Sequence, residues 1–277
     1  MIVISKHTNQ LCNRLFTYLP VLSYALEADE PVCFLFQYSK YDEFFPNLKK
    51  EGYISYLNDK SLSPSLTSKL LNGLVRLLDN VVHLILRPSE KIPLVKPLGY
   101  LFNPKWKEIR YDKAYIMKHA DRLRYLFSPS PEVFDEINKI LVRDEDTIYV
   151  GVHMRGGDYR TYLDGKYFYE PQIYLAYMRQ MSEQLSSGGN KVRFLLCTNE
   201  DINMSVFDEY EVVRQNGSDM LIDLYGLSQC DYIIGPPSTF SQWASFYGKT
   251  PLRVLYTSDE NILLYDFKTV VALDTFE

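Results

Sequence analysis

The sequence predicts an α/β protein, and three features of its 277 residues carry that reading. Short β-branched runs alternate with stretches of helical period throughout the second half, the pattern of a parallel sheet with crossover helices. The first half opens the same way, with strand, helix and strand. A hydrophobic content of 46% supplies a real core for one large or two small domains.

In chain order, Ile2–Ile4 reads as a buried first strand, about Asn13 to Leu26 as a helix, and Val32–Phe36 as a second strand. The apolar run Leu15 to Ala25 follows Arg14 and imitates a signal peptide, with Ala28 as its cleavage site. Thr17, Tyr18, Pro20 and Ser23 interrupt that run, so it is assigned to the helix instead. Residues 66–86 form a very apolar helix with one wet stripe of Lys69, Asn72, Arg76, Asp79 or Asn80, and His83. That many charges disfavour a membrane span. The first reading is a helix packed into the N-terminal domain, and the second is a helix lying on a membrane surface. Arg87, Lys91, Lys96, Lys105, Lys107, Arg110, Lys113, Lys118, Arg122 and Arg124 follow against few acids. Residues 66–124 are therefore the candidate for peripheral membrane contact or a charged acceptor, weighed against an ordinary solvated surface.

Proline and charge between Pro129 and Asp146 mark a boundary, giving an N-terminal domain 1–140 and a C-terminal domain 141–277. The latter reads as a Rossmann-like unit. Its strands are Thr147–Met154, Val192–Cys197, Glu211–Arg214, Tyr232–Ile234 and Leu252–Tyr256. Its helices are Pro171–Leu185, Met220–Gln229 and Thr239–Tyr247, the first opened by proline and stopped at Ser186–Gly189.

Charge and cysteine usage exclude some function classes. A net charge of -5 offers no global basic field for nucleic acid. Twenty-three tyrosines and fifteen phenylalanines suit sugar rings, although packing is their commoner use. Cys12, Cys33, Cys197 and Cys230 form no metal-binding cluster, and a reducing compartment is expected.

Two constellations carry chemistry. Val152-His153-Met154-Arg155-Gly156-Gly157-Asp158-Tyr159 ends the strongest strand with a guanidinium at the carboxyl edge of a parallel sheet, where ligands bind in such folds. The planar fork of Arg155 suits phosphate oxygens, with a structural ion pair as the alternative. The second runs from Leu221 through Asp223 to Tyr232-Ile233-Ile234, then Gly235-Pro236-Pro237-Ser238-Thr239-Phe240-Ser241-Gln242-Trp243. There a strand turns into a helix opened by Ser238 or Thr239, which is an anion site or a plain N-cap. A diphosphate between Arg155 and that helix satisfies both. The acidic triplet Asp144-Glu145-Asp146 precedes its strand and so belongs to the opposite edge. It is read as a solvated turn, and no metal is expected.

These residues resemble the conserved blocks of the α1,2-fucosyltransferases of glycosyltransferase family 11, relatives of the α1,6- and protein O-fucosyltransferases. The resemblance rests on His153-x-Arg155 with Gly157-Asp158-Tyr159, on Leu227-Ser228-Gln229-Cys230-Asp231-Tyr232, and on Ser238-Thr239-Phe240-Ser241-x-Trp243-Ala244. Asn13-Arg14-Leu15-Phe16-Thr17-Tyr18 is similar to the family's opening block. The resemblance implies a GT-B-like fold, two Rossmann-like domains facing a central cleft, with GDP on the C-terminal one. It implies an inverting transfer of L-fucose from GDP-β-L-fucose to a glycan hydroxyl, forming an α1,2 linkage to galactose, with no cofactor. Arg155 would clamp the β-phosphate, and Ser238 and Thr239, with Phe240 in the same block, would contact the donor. His153 would lie beside the nucleoside. Asp223 would accept from guanine N1–H and the 2-amino group, and Asn13 and Arg14 would approach the sugar diphosphate. Asp158 is the nearest carboxylate for a catalytic base, followed by Asp164 and Glu170. This chain has Gly156 for a second arginine, Cys12 for a glycine and Gln242 for a tryptophan. The partners expected are GDP-fucose and a glycan or lipid-linked oligosaccharide acceptor, in a bacterial cytoplasm, at most peripheral to the inner membrane. The competing readings are another GDP-sugar or linkage such as α1,6, and a non-catalytic nucleotide-sugar-binding protein. A dehydrogenase is excluded, because Ser5 to Asn13 contains no glycine for a dinucleotide loop.

Overall fold

The computed structural model describes residues 2–4, 10–34, 44–56, 113–215, 217 and 219–272. The helix expected over 66–86 and the basic residues from 87 to 110 lie outside them. The chain divides into two compact units, Met1–Ser130 and Pro131–Glu277.

The first unit holds a parallel sheet of β1 (Ile2–Ile4), β2 (Val32–Phe34) and β3 (Ile54–Tyr56), in that order. Helix α1 (Leu11–Ala28) connects β1 to β2 and buries Leu15, Leu19 and Leu22, one face of a 3.6-residue period. It ends at Asp29, which adopts the left-handed conformation of a helix cap. Short helix α2 (Pro46–Lys50) precedes β3, and α3 (Lys113–Lys118) and α4 (Ala120–Leu126) close the unit. Phe45 meets Phe127 edge to face at 5.4 Å. The described end of the basic stretch is engaged in ion pairs. Lys118 and His119 bind Glu27, Arg122 binds Glu51, and Arg124 binds Asp121.

The second unit starts with α5 (Pro131–Ile140), ten residues before the expected 140/141 boundary. That helix belongs with this unit because it packs on α7 (Met220–Ser228), where Phe134 meets Tyr225 at 6.0 Å. The sheet consists of β4 (Thr147–Met154), β5 (Lys191–Thr198), β6 (Glu211–Val213), β7 (Tyr232–Gly235) and β8 (Leu252–Val254). All pairings are parallel, in the order β6-β5-β4-β7-β8. Central β4 is buried at seven of its eight positions, the near-continuous apolar run of a strand covered on both faces. Helix α6 (Pro171–Leu185) covers it with Tyr174, Tyr177, Met178 and Met181. Helices α7 and α8 (Thr239–Gly248) pack together. Gly248 permits that contact, since a Cβ there would fall 1.9 Å from the Ser228 carbonyl oxygen.

This strand order places the site. The chain leaves β4 for β5 and β6, then returns to β7 on the other side of β4, so the connections diverge between β4 and β7. At such a switch point the loops at the carboxyl ends part and leave a crevice.

Candidate functional site at the switch point of the second sheet

Register brings the two sequence constellations together. Val152 pairs with Ile234, so the chain leaving β4 at Arg155 and the chain leaving β7 toward Ser238 emerge side by side. On the other flank Met154 pairs with Thr198, which sets Asn199 and Glu200 beside the glycines that follow Arg155.

The loop after β4 is pinned from both sides. Asn199 Oδ1 accepts from the Gly156 N–H at 2.9 Å, and Glu200 Oε1 accepts from the Gly157 N–H at 2.7 Å. Gly157 has φ +56, a conformation glycine adopts without a steric penalty. Arg160 Nε and Nη2 donate to the two oxygens of Glu200 at 3.0 and 2.9 Å, a bidentate pair. These bonds, with that of Arg160 first, hold the Glu200 carboxyl below its usual range. Across the crevice, the Tyr159 hydroxyl donates to the Pro237 carbonyl and ties this loop to the one entering α8. Burial pushes that phenol upward, so it stays a donor.

Within this frame the Arg155 side chain is 21% exposed, with Nη2 on Asp158 Oδ1 at 2.9 Å. Its guanidinium lies 5.3 Å from the Tyr159 ring centroid, and its Nε is buried without a hydrogen-bond partner. A buried guanidinium N–H with nothing to bind is costly, and an anion in the crevice would relieve that cost. Asp158 is about half exposed and serves as the partner of Arg155. Asp164 lies on the exposed loop 162–165, with φ +58. Glu170 precedes α6 and lines, with Arg155, Gly156 and Glu200, a cleft of about 190 Å³ on the β5 side. Arg160 shields the Phe168 ring in that cleft at 4.2 Å.

On the β7 side, Gly235 lets the strands approach, since a Cβ there would lie 2.9 Å from the His153 carbonyl oxygen. Ser238 is the N-cap of α8, its Oγ accepting from the Phe240 N–H at 3.2 Å. Its hydroxyl also meets the Tyr159 phenol, and the first-turn amides that the cap does not use, beginning with Thr239, are oriented as an anion site. His153 is buried, its Nδ1 2.6 Å from Ser241 Oγ and its ring 4.9 Å from that of Phe240. Burial, and secondarily the charge of Arg155, lower its pKa to about 3, so the imidazole is neutral at physiological pH. His153 thus joins β4 to the first turn of α8 and offers no phosphate-binding charge.

Asp223 stands in the first turn of α7, beyond the carboxyl end of β6. Burial raises its pKa to about 6, against the pull of a hydrogen bond from Gln215 Nε2 at 2.6 Å. A mostly buried carboxylate held by an amide and a helix N-terminus is kept available for a ligand's donors. Asn13 and Arg14 occupy the first turn of α1 in the other unit, with Arg14 buried. Asp144, Glu145 and Asp146 lie ahead of β4, at the sheet edge opposite Arg155, where Asp144 pairs with Lys191.

Sequence reading missed Asn199, Glu200, Arg160 and Gln215 as parts of the site. Motif spacing contains no signal for Asn199, Glu200 and Arg160, because their partners enter from other strands, whereas Gln215 has its partners Asp219 and Asp223 four and eight residues on in the same connection. Glu200 is 43 residues from the amide it holds.

No protein-family model and no curated protein sequence match the chain. Solved structures do match in fold. A mutant of Arabidopsis thaliana FUT1 in complex with GDP aligns with TM-score 0.57 and 12% identity, over 96% of this chain and 72% of its own. POFUT1 in complex with GDP gives TM-score 0.52 and 16% identity, over 90% and 96% of the two chains. The NodZ alpha-1,6-fucosyltransferase soaked with GDP-fucose gives TM-score 0.51 and 16% identity, over 90% and 93%. At these identities the likeness is one of fold, and it bears out the α/β, GT-B-like class expected from the sequence.

Proposed function

We propose that the chain is a fucosyltransferase that moves L-fucose from GDP-β-L-fucose to a glycan hydroxyl. The observation carrying this reading is the convergence of Arg155 and the α8 N-terminus on one switch-point crevice, with Asp223 beyond the end of β6 in the same sheet. This is a fixed cation and a helix dipole for a diphosphate, and a carboxylate for a base with two adjacent donors. Adenine and uracil lack that pair of donors. The fold neighbours support the reading, since FUT1 and POFUT1 were solved with GDP and NodZ with GDP-fucose.

In the proposed reaction an acceptor hydroxyl oxygen bonds to fucose C1 as the bond from C1 to the β-phosphate oxygen breaks. Inversion converts the β-linked donor to an α-fucoside, and GDP departs with the electron pair. Negative charge grows on the leaving oxygen, and preorganised donors stabilise it. Arg155 supplies the charge and Ser238, Thr239 and the α8 dipole supply oriented N–H and O–H groups, so no metal is required. Asp158 holds the Arg155 nitrogen that a diphosphate would claim. On arrival of the donor Asp158 becomes free to accept the acceptor's proton. Resemblance of the motifs favours an α1,2 linkage to galactose in a glycan or lipid-linked acceptor. The fold comparison includes an α1,6-transferase, so acceptor competition with GDP-fucose decides the linkage.

Calorimetric titration of EDTA-treated protein with GDP, UDP and ADP tests the donor assignment. GDP is expected to bind more tightly than UDP or ADP, which share its diphosphate but lack the paired donors of guanine. Equal binding of all three, or none, overturns the assignment and favours a non-catalytic role.

A further inference from the structure

We propose that Gln215 is the positioning residue that orients Asp223 for guanine, and that it thereby sets the preference for a base bearing the 2-amino group. The proposal rests on the donor reading above and adds to it the residue responsible for base specificity.

Gln215 follows the end of β6 and is 8% exposed. Its Nε2 donates to Asp223 Oδ1 at 2.6 Å and to the Asp219 carbonyl at 2.8 Å, while its Oε1 accepts from the Asp219 N–H at 3.2 Å. A flipped amide would set oxygen against two acceptors and NH₂ against a donor, so these partners fix its orientation. The two bonds to Asp219, with that residue's own cap on the Leu221 N–H at 2.8 Å, suffice to hold the turn into α7. The bond to Asp223 is not needed for that turn, and it fixes the plane of the carboxylate. Both amide hydrogens of Gln215 are consumed, so its contribution to a ligand passes through Asp223. Oδ2 and the remaining lone pair of Oδ1 are left for a pair of parallel donors, the edge that guanine presents. A base lacking the 2-amino group leaves one of these acceptors unsatisfied, which weakens binding.

Among the other groups facing Asp223, Cys197 on β5 is a second and weaker donor: its thiol lies 3.7 Å from the Asp223 backbone carbonyl and, after Gln215, also favours the carboxylate as a hydrogen bond. Arg214 favours the carboxylate through space and Asp219 opposes it, while the Gln215 bond counters the burial that raises the group to about 6.

The test titrates GDP and inosine diphosphate, which lacks the 2-amino group, into the wild-type chain and into Gln215→Leu and Gln215→Glu across pH 5–8. The two ligands share a diphosphate, so its ionisation cancels in their ratio. Gln215→Glu is nearly isosteric and keeps the acceptor for the Asp219 N–H but loses both Nε2 donations, to the Asp219 carbonyl and to Asp223, so a denaturant melt beside each titration checks that the turn still forms. Wild type is expected to prefer GDP by about tenfold or more, from one extra hydrogen bond to a charged group. Both variants should lose most of that preference, and the pH at which it appears should rise. A folded variant with unchanged preference and unchanged pH midpoint overturns the proposal, whatever its melting temperature. So does a wild type that binds GDP and inosine diphosphate alike. A wild type that binds neither overturns the donor reading, and this proposal with it.

Discussion

At the scale of the residue, the decisive group is Arg155, and its surroundings say which part of the side chain matters. The guanidinium is partly buried, paired to Asp158 at one nitrogen and unpartnered at Nε. Lysine would supply a charge but neither the fork nor the Nε donor, so it is not a conservative replacement here. Arg155→Ala is expected to slow transfer by about 10²-fold or more, the usual cost of losing one preorganised charge contact. Arg155→Lys should recover little of it. Steady-state kinetics with GDP-fucose check both, and near-normal kcat/KM in Arg155→Ala removes the residue from the clamp. The glycine at 156 is explained at the same scale. A Cβ there would lie 2.1 Å from Glu200 Cδ, so a second arginine has no room while Glu200 holds Gly157 and Arg160.

At the scale of the element, α8 performs two tasks with one residue. Ser238 caps the helix through its Oγ, and its hydroxyl, with the first-turn amides beginning at Thr239, is proposed to contact the diphosphate. Substitution separates the two. Ser238→Ala should lower stability by about 1 kcal/mol and weaken GDP, whereas Ser238→Gly costs stability only a few tenths of a kcal/mol and should weaken GDP nearly as much. Denaturant melts beside calorimetry check this, and normal GDP affinity in both variants leaves Ser238 a cap alone. The same helix shows what was legible in the sequence. Pro171, Ser238 and the flanking apolar periods mark their own positions, so α6 starts and ends where expected and α8 begins at Thr239. Strand β4 likewise announces itself through an apolar run that only a strand covered on both faces requires. Illegible were the bonds between elements. Tyr159 with Pro237 and Gly156 with Asn199 depend on which strands become neighbours and in what register, whereas Gln215 and Asp223, eight residues apart, meet only once the turn into α7 is folded. The boundary slipped for a related reason. Helix α5 looks like a linker by charge and proline, and its allegiance is set by Tyr225, about ninety residues on, through an aromatic contact of modest strength.

At the scale of the whole molecule, two buried titratable groups couple the site to stability with opposite signs. His153, lowered to about 3 from 6.5, contributes stability that is present above 6.5 and lost as pH falls toward 3. Asp223, raised to about 6 from 3.8, contributes stability that is present below 3.8 and lost as pH rises through 6. At neutral pH the ligand-free chain therefore carries a carboxylate that folding alone does not favour, and a ligand with two donors offsets its cost. A ligand that binds the folded chain alone stabilises it by about 2.7 kcal/mol at one hundred times its Kd. The rise in melting temperature with GDP should then be larger at pH 7.5 than at pH 5, where Asp223 is mostly protonated. His153, lowered to about 3, is neutral in the folded chain at both values. The diphosphate itself loses a proton in the same range, at about pH 6 for a phosphate, so ADP is the reference and the difference between the two nucleotides isolates base recognition. Asp223→Asn should flatten that difference and also melt higher than wild type above pH 6, because it removes a buried charge. An equal GDP-minus-ADP shift at both pH values in the wild-type chain would dissociate Asp223 from the base and leave its burial without a functional counterpart.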